Sequence, residues 1–320
     1  MRLPADIESP ASPAGGDARG VEFGTFASET RAASTQRRVV VATFNIRYAV
    51  GSFLITGGLL RRAGLSRPSR RSALVGGNIL RAASLLADGE RMPPADVVAL
   101  QEADRRTTRA GARHVARELA ASLRMNYAYA GMSVPRDVAP RTKQWYLNFE
   151  EPFGPGDAGD TGVALLSRLP LEETTRIDLP WNDCPWRPRL ALAASIPTEH
   201  GPVGVLNVHI DPHGPVEARL EQHRAVVATA DRLFGSGPVV LLGDFNTLTR
   251  EARDATRRLL ESQGFSTPMP SGTATWRAGL LRLHADWIFV RRARVHRWGV
   301  ARVRGISDHW PVWAGIEAGD

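Results

Sequence analysis

The chain is predicted to be an α/β protein with mixed sheets. Short apolar runs typical of buried strands alternate with segments whose apolar residues recur at helical spacing. Two predicted strands, 190–196 and 203–208, follow each other through a turn at His200 and Gly201, as an antiparallel pair does. Such adjacent pairs among interleaved helices favour mixed sheets over a purely parallel sheet. Polar side chains stand where several strands end, which is where α/β proteins bind ligands.

The predicted elements follow one another without a fixed repeat. Val239 to Leu242 is the clearest buried strand, because four apolar residues stand together and Gly243 ends them. In order, the predicted strands are 39–45, 97–100, 127–130, 161–167, 190–196, 203–208, 239–242, 286–290 and 298–303, with a short strand after Val312. Apolar residues three or four positions apart predict helices over 78–87, 109–123, 216–233 and 250–260.

Residues 1–36 are predicted to be a disordered tail, because Pro, Ala, Gly and Ser dominate them without apolar periodicity. Residues 37–320 are then expected to form one domain, with insertions at 49–72 and 131–161. The first insertion combines an apolar patch with five arginines, so it could contact an anionic membrane or a nucleic-acid backbone. A helical arm on the sheet edge with solvated arginines is the slightly favoured interpretation.

The composition favours a phosphate-bearing partner. The net charge of +8 and the pI near 10.7 suit contact with nucleic acid or an anionic membrane, and arginine supplies nearly all the positive charge. The single cysteine, Cys184, excludes an internal disulfide framework and is expected to be a small buried residue. A cytoplasmic location is expected, because the N-terminus lacks the pattern of a secretory signal and no apolar run could cross a bilayer.

Acidic, amide or imidazole side chains stand at six strand ends or strand starts. They are Asn45, Gln101 with Glu102, His209, Asp244 with Asn246, Asp286, and Asp308 with His309. Each one singly has an ordinary structural explanation, such as a turn cap, a solvated acid or a core histidine. Six of them at equivalent topological places favour one shared site.

The residue types point to a hard divalent cation. Oxygen ligands from Glu, Asp and Asn suit Mg²⁺ or Mn²⁺, which bind through one or two carboxylates plus a substrate phosphate. The sequence has no cysteine cluster and no His-Glu-x-x-His motif, which argues against a zinc hydrolase. Ser167 and Ser307 lack a Gly-x-Ser-x-Gly elbow, so a nucleophilic serine is excluded.

Seven short motifs carry these residues: Thr43–Arg47, Leu100–Glu102, Gly162–Arg168, Asn207–His209, Gly243–Asn246, Asp286–Phe289 and Ser307–His309. In kind and order they resemble the endonuclease/exonuclease/phosphatase superfamily, the DNase-I-like metal-dependent phosphoesterases. The resemblance spans the chain from about residue 38 to 317. It implies a catalytic domain with a four-layer α/β/β/α sandwich, in which two mixed β-sheets pack face to face with helices outside.

The resemblance also implies a metal site and a reaction. Glu102 would be the principal ligand of Mg²⁺, or of Mn²⁺, with Asn45 and Asp308 beside the metal or its waters. The implied reaction is metal-assisted in-line attack of water on a phosphate ester. The charge weakly favours a nuclease-type phosphodiester substrate. A phospholipid phosphodiesterase of the sphingomyelinase kind and a phosphatase acting on a small metabolite stay open, and a catalytically inactive binding module is a third alternative. No obligate protein partner is inferred.

Five residues take catalytic roles by the same resemblance. Asp244 would orient or deprotonate the attacking water, and Asn246 would hold that water and a phosphate oxygen. His309 would contact the phosphate, steered by Asp286 in a pair that fixes its tautomer. His209 would contact a phosphate oxygen or help to protonate the leaving group. Which group serves as the base is left open at this point.

Overall fold

The computed structural model describes residues 20–27, 38–51, 68–136, 153, 156–180 and 188–319. Strands make up most of its regular structure. In chain order they are β1 (Val21–Gly24), β2 (Arg38–Asn45), β3 (Val97–Gln101), β4 (Asn126–Gly131), β5 (Gly162–Ser167), β6 (Glu172–Asp178), β7 (Leu190–Thr198), β8 (Gly201–His209), β9 (Val239–Asp244), β10 (Trp276–Ala278), β11 (Leu281–Leu283), β12 (Asp286–Arg291), β13 (Ala293–Val300) and β14 (Val312–Ala318). The helices are α1 (Pro68–Ala87), α2 (Val115–Leu123), α3 (Val216–Phe234) and α4 (Arg250–Ser262).

The strands form two large mixed sheets and one small hairpin. The first sheet has the order β1-β4-β5-β3-β2-β14-β13, and the second has the order β12-β9-β8-β7-β6. Each large sheet contains one parallel pair, β2 with β3 and β8 with β9, while its other pairs are antiparallel. Strands β10 and β11 form a separate two-stranded hairpin, and an isolated antiparallel bridge joins Trp276 of β10 to His309. The predicted mixed sheets are therefore confirmed.

Alternation along the strands gives each sheet two buried faces. On β2, Val39 and Val41 point into the core between the two sheets, whereas Ala42 and Phe44 point into a second core. Helices α1 and α2 cover that second core, and helices α3 and α4 cover the outer face of the second sheet. This is the four-layer sandwich that the resemblance implies, and it is confirmed.

Buried hydrogen bonds join the two sheets, in addition to the apolar contacts between them. Asn207 on β8 donates through Nδ2 to the carbonyl oxygens of Leu100 and Ala164, both at 2.8 Å. Gln101 on β3 donates through Nε2 to Oδ1 of Asn207 at 2.6 Å. All of these side chains are excluded from water, so each bond is costly to leave unmade. These bonds lie directly below the ends of strands β3 and β8, and they fix the position of one strand relative to the other.

The prediction of disorder for residues 1–36 is wrong at Val21–Gly24. This segment is strand β1, which pairs antiparallel with β4 at the edge of the first sheet. Val21 is fully buried against the core. Glu22 accepts hydrogen bonds from Arg105, His114 and Tyr127. Cross-strand contacts and these polar bonds outweigh a local composition that favours disorder.

Several element bounds differ from prediction. Helix α1 begins at Pro68, ten residues earlier than predicted, and α2 begins only at Val115. The turn before α2 is held by a buried ion pair in which Arg109 donates to Asp104 at 2.6 Å and 2.9 Å. Strand β13 lies at Ala293–Val300 rather than 298–303. Strands β6, β10 and β11 are not predicted, because β10 and β11 have only three residues each and β6 is largely polar and partly exposed.

Three expectations fall on residues outside the described ranges. Most of the 49–72 insertion, most of the 131–161 insertion with its Trp and Tyr side chains, and Cys184 belong there. The expectations about contact with a membrane or a nucleic-acid backbone and about cysteine burial therefore stay predictions. Across the described ranges, no helix has both the length and the apolar character needed to cross a membrane.

Candidate active site

Strand register brings the predicted site residues into line. In the second sheet, His209 stands opposite Asp244 across the parallel pair β8–β9, and Asp244 stands opposite Asp286 across the antiparallel pair β9–β12. In the first sheet, Asn45 stands opposite Gln101 across β2–β3, so Glu102 follows directly. Because the two sheets pack face to face, these strand ends form the two walls of one cleft.

A glycine permits the close approach of β8 and β9 beside the site. Gly243 has a φ of 150°, a backbone conformation that residues with side chains rarely adopt. A Cβ placed on it would lie 2.0 Å from the carbonyl oxygen of Val208. The residue before Asp244 therefore has to be glycine if His209 and Asp244 are to stay paired in register.

Asp244 is the point at which both walls meet. Its Oδ2 accepts a hydrogen bond from Asn45 Nδ2 at 2.9 Å and lies 3.8 Å from Nε2 of both His209 and His309. Its Oδ1 accepts from the backbone N–H of Asn246 at 3.0 Å. Burial raises the pKa of Asp244 above its ordinary value, the nearby Asp286 carboxylate adds to this, and His309 opposes it. A fixed carboxylate with a raised pKa is suited to accept a proton.

His309 forms a buried pair with Asp286. Nδ1 of His309 lies 2.9 Å and 3.1 Å from the two carboxylate oxygens of Asp286, which fixes the ring and leaves Nε2 directed at Asp244. Burial alone would lower the pKa of His309, but the charges of Asp286 and then Asp244 raise it to about 10. The raised pKa favours the protonated ring, whose Nε2–H can donate a charge-assisted hydrogen bond to a phosphate oxygen.

His209 lies between an acid and a buried arginine. Its Nε2 is 3.9 Å from Oε1 of Glu102, on the opposite wall of the cleft. Nη1 of Arg189 lies 3.1 Å and 3.3 Å from the two ring nitrogens of His209. Arg189 is 1% exposed, and its Nε and Nη2 have no hydrogen-bond partner among the described residues. Sequence analysis missed Arg189, since only the cross-strand contact distinguishes it from the chain's many other arginines.

Asn246 and Asp308 complete the predicted set. Asn246 donates through Nδ2 to the carbonyl oxygen of Ile210 at 2.8 Å. Asp308 accepts at Oδ2 from Trp276 at 3.0 Å and forms an ion pair there with Arg47 at 2.8 Å. These two partners occupy Oδ2 of Asp308, and Oδ1 accepts from the Ser307 hydroxyl at 3.3 Å, so a place beside a metal's waters suits it better than direct ligation.

Backbone strain is concentrated around the cleft. Glu102 has a φ of 52° and Asn246 a φ of 51°, both in the left-handed region that is uncommon for residues other than glycine. Arg47 and Tyr48, which follow Asn45, also have positive φ. Strained backbone persists where surrounding contacts enforce it, and such positions cluster at functional sites. Here it turns side chains from both sheets toward the same space.

The donor set fits a hard divalent cation. Ligand atoms of Asp244, Asp286 and His309 lie within 4.8 Å of one another, as in a metal-binding cluster. Both oxygens of Asp286 already face Nδ1 of His309, and its side chain is only 1% exposed. The Glu102 side chain is 12% exposed and lies across the cleft from Asp244. Carboxylates facing each other in a buried cleft repel unless a cation or a proton lies between them.

All eight predicted site residues are brought together in one cleft, and none lies apart from it. Their linked contacts run from Glu102 through His209, Asp244 and His309 to Asp286, with Asn45, Asn246 and Asp308 at the sides. Their individual roles stay predictions. Chemically, the arrangement offers a carboxylate base, a cationic imidazole and oxygen ligands around one small space.

Several solved structures share this fold. An endonuclease/exonuclease/phosphatase from Beutenbergia cavernae DSM 12333 has a TM-score of 0.58 at 20% identity, covering 89% of this chain and 72% of that one. The mannosyl-6-phosphatase Bt3783 of Bacteroides thetaiotaomicron VPI-5482 has a TM-score of 0.53 at 18% identity, with coverages of 87% and 99%. ANGEL2, a 2′,3′-cyclic phosphatase, has a TM-score of 0.56 at 15% identity, with coverages of 88% and 96%.

No curated protein sequence matches the chain. At such low identities the solved structures show likeness of fold, not of substrate. The model of the endonuclease/exonuclease/phosphatase family, however, matches residues 42–309, a range that begins within β2 and contains every residue of the cleft. With strand order, cleft and family match in agreement, the chain belongs to the endonuclease/exonuclease/phosphatase family.

Proposed function

We propose that the protein hydrolyses a phosphodiester with the help of Mg²⁺ and a water molecule held at Asp244. The supporting observation is the convergence at Oδ2 of Asp244, where Asn45, His209 and His309 approach from both sheets. A phosphate ester attacked by water gains charge on its equatorial and leaving oxygens. Cationic and acidic groups around one small space meet the needs of that reaction.

Glu102 is the proposed metal ligand, with Asn45 and Asp308 beside the ion or its waters. Glu102 retains exposure to the cleft, whereas Asp286 is enclosed and paired with His309. When bound, Mg²⁺ would polarise a phosphate oxygen and stabilise the developing negative charge. Mn²⁺ has the same preference for oxygen ligands and could replace it.

Three side chains of this protein are proposed to position the water, accept its proton and contact the phosphate. Asp244, held by Asn45 and by the backbone of Asn246, orients the attacking water and accepts its proton. His309, kept protonated by Asp286, contacts an equatorial phosphate oxygen. His209, which lies between Glu102 and the guanidinium of Arg189, is proposed to contact a phosphate oxygen or to help to protonate the leaving group.

The Asp244→Asn variant provides the test. We expect kcat to fall by about 10²–10⁴-fold, because the proton acceptor is lost while the size of the side chain is retained. Turnover would be followed with a chromogenic phosphodiester and Mg²⁺, with and without a chelator. Glu251→Asn, on the solvent side of α4, is the matched control and should keep full turnover. Near-normal turnover of Asp244→Asn would overturn the proposal.

Phosphomonoesters and phospholipids are the competing substrates. The fold likeness to a sugar phosphatase and to a cyclic phosphatase supports including a monoester and a 2′,3′-cyclic phosphate in the assay. Sphingomyelin tests the phospholipid alternative, and plasmid DNA and RNA test the nuclease. Failure of all of them across several metals would favour a binding module, although no motif residue of the cleft is substituted.

A further inference from the structure

A groove lined by arginines adjoins the catalytic cleft. Its volume is about 210 Å³. Its walls are formed by Arg277, Arg282, Arg302, Val303, Arg304 and Trp310. Two of these arginines belong to the β10–β11 hairpin, and the other two belong to the loop between β13 and β14. Segments far apart in sequence therefore place four cationic side chains around one concave surface.

The four arginines have no acidic partner within the part of the chain that the structure describes. None of their guanidinium groups pairs with a carboxylate of the described residues, whereas the surface arginines Arg224 and Arg257 each pair with a glutamate. Three of the four are exposed, and Arg277 is partly exposed. Four like charges around a groove raise the free energy of the empty protein through repulsion. An anion in the groove would relieve that repulsion.

The floor of the groove is rigid and continuous with the catalytic cleft. Trp310 directly follows His309, and its Nε1 donates to the carbonyl oxygen of Val303 at 2.7 Å. On the hairpin, Trp276 Nε1 donates to Asp308 Oδ2 at 3.0 Å, and the backbone N–H of Arg277 donates to the carbonyl oxygen of Asp308 at 2.9 Å. An anion in the groove would thus lie directly beside the segment that carries Asp308 and His309.

We propose that this groove binds a phosphate of a nucleic acid strand, next to the phosphodiester held at Asp244. The inference rests on the proposed function, since it makes the catalytic substrate a polynucleotide. Arginine presents a planar fork that matches phosphate, and an unbranched polyanion can fill the groove and the cleft at the same time. The concave shape favours a strand over a flat lipid surface, which would first meet the exposed Leu280 at the tip of the hairpin.

Binding without turnover tests the groove directly. The variant is Arg302→Gln with Arg304→Gln, and the control is Arg232→Gln with Arg258→Gln, exposed arginines on α3 and α4 that give the same charge change. Affinity for a fluorescein-labelled single-stranded oligonucleotide would be measured by anisotropy in chelator at several salt concentrations. We expect the groove variant to bind about tenfold more weakly, with a salt slope smaller by about one to two, and the control to match the parent protein.

The catalytic assay separates this inference from the proposed function. The groove variant should keep its kcat/KM for a chromogenic phosphodiester, which is too small to reach the groove, and lose kcat/KM for the oligonucleotide. Equal oligonucleotide affinity in the groove and control variants overturns the inference even if Asp244→Asn is inactive. If the parent protein binds the oligonucleotide through the groove but turns over no substrate, the groove inference is supported. Only the catalytic proposal is then overturned.

A lipid partner gives a different result. If the groove binds anionic headgroups, the variant will lose co-sedimentation with vesicles of phosphatidylserine and phosphatidylcholine while its oligonucleotide affinity matches the control. That outcome overturns the nucleic acid assignment. If the inference is correct, the parent protein will bind the oligonucleotide through the groove, and vesicles will not compete with it.

Discussion

Arg189 lies in the cleft at a position that favours the proposed reaction but lowers the stability of the folded state. Its guanidinium is buried, its Nη1 lies beside the ring of His209, and its Nε and Nη2 have no hydrogen-bond partner among the described residues. A buried charge is costly when no acid pairs with it, as is the case for Arg189 within the described residues, so a role in the reaction is the simplest reason for its position. The charge would favour a phosphate bound beside His209.

Replacing this arginine should therefore separate activity from stability. We expect Arg189→Met to lower kcat/KM about 10–100-fold, because a buried cation beside the reacting group is lost. The same change should raise the free energy of unfolding by about 1 kcal/mol, because two unsatisfied donors disappear. Kinetics on a chromogenic phosphodiester and urea denaturation would measure the two effects.

A second buried arginine is the control. Arg291 is at the far end of β12 and pairs with Asp231 at 2.7 Å. Arg291→Met removes this ion pair to a half-exposed carboxylate together with two donors, Nε and Nη2, that make no hydrogen bond within the described residues, so we expect little change in stability and unchanged turnover. Loss of stability in Arg189→Met together with normal turnover would show that Arg189 is structural.

The site was predictable from sequence wherever a polar residue ends an apolar run. Asn45, Glu102, His209 and Asp244 each follow a buried strand, so their order along the chain already indicates a shared edge. Arg189 precedes its strand instead and stands among other arginines, with no local signal. Its place beside His209 depends on how β7 pairs with β8, which only the folded sheet reveals.

At the scale of elements, strand β1 is held by one carboxylate. Oε1 and Oε2 of Glu22 accept from Tyr127 at 2.8 Å and from Arg105 at 3.0 Å, and Oε1 lies 2.9 Å from His114 Nε2. Burial alone would raise the pKa of Glu22, but the bonds from His114, Tyr127 and Arg105 lower it to about 2. The depressed pKa makes the hold of β1 on the sheet dependent on pH.

The sign of that dependence gives a prediction for Glu22→Gln. The charged carboxylate stabilises the native state above the ordinary pKa of 4.5, and this stabilisation is lost as the pH falls toward 2. The variant should be less stable than the parent protein by about 1–2 kcal/mol at neutral pH, and the difference should shrink below about pH 4.5. Urea denaturation across that range would measure it, with Glu221→Gln on exposed α3 as the control. A difference that does not change with pH would contradict the prediction.

The turn before α2 depends on the buried pair of Asp104 and Arg109. Both side chains are almost fully enclosed, and the guanidinium also lies 3.4 Å from the centre of the Tyr48 ring. Arg109→Met should cost about 3–5 kcal/mol of unfolding free energy, because it leaves the buried Asp104 carboxylate without its cation and with only the Thr107 hydroxyl as a side-chain donor among the described residues. Asp104→Leu with Arg109→Met should recover much of that loss in chemical denaturation. If the double variant were as unstable as the sum of both single changes, the two side chains would be acting independently.

The elements that sequence patterns located well are the buried ones. Strand β9 has four apolar residues in a row, and it lies close to the predicted 239–242. Helix α2 was predicted to start at Arg109, because the pattern cannot show that this arginine turns inward to Asp104. Strand β1 was missed since its four residues gain their burial only from β4, more than a hundred residues later. Long-range partners override local composition in both places.

At the scale of the whole molecule, the proposed cation would bridge the two sheets. Glu102 follows β3 in the first sheet, whereas Asp244 ends β9 in the second. A ligand that binds only the folded state raises its stability, so Mg²⁺ should raise the thermal midpoint by about 2–4 °C at tenfold to hundredfold excess over its Kd. A chelator should reverse the shift, and Na⁺ at equal ionic strength serves as the control.

Two variants test which residues bind Mg²⁺, with the shift of the thermal midpoint as the measurement. Glu102→Gln should abolish the effect of Mg²⁺ on the midpoint if Glu102 is the principal ligand. Asp286→Asn should retain it, because Asp286 is engaged with His309. The reverse result would place the ion at the cluster of Asp244, Asp286 and His309 instead.

The buried hydrogen bonds of Asn207 with Leu100, Ala164 and Gln101 have a consequence for how the protein would lose activity on heating. Those bonds lie under the cleft, where the two halves of the sandwich meet, and their loss would let one half slide against the other. A slip of this kind leaves each half's secondary structure intact while parting Glu102 from Asp244. On gentle heating, turnover should therefore vanish before the circular dichroism signal changes. Activity would then report the relative position of the two sheets more sensitively than secondary structure does.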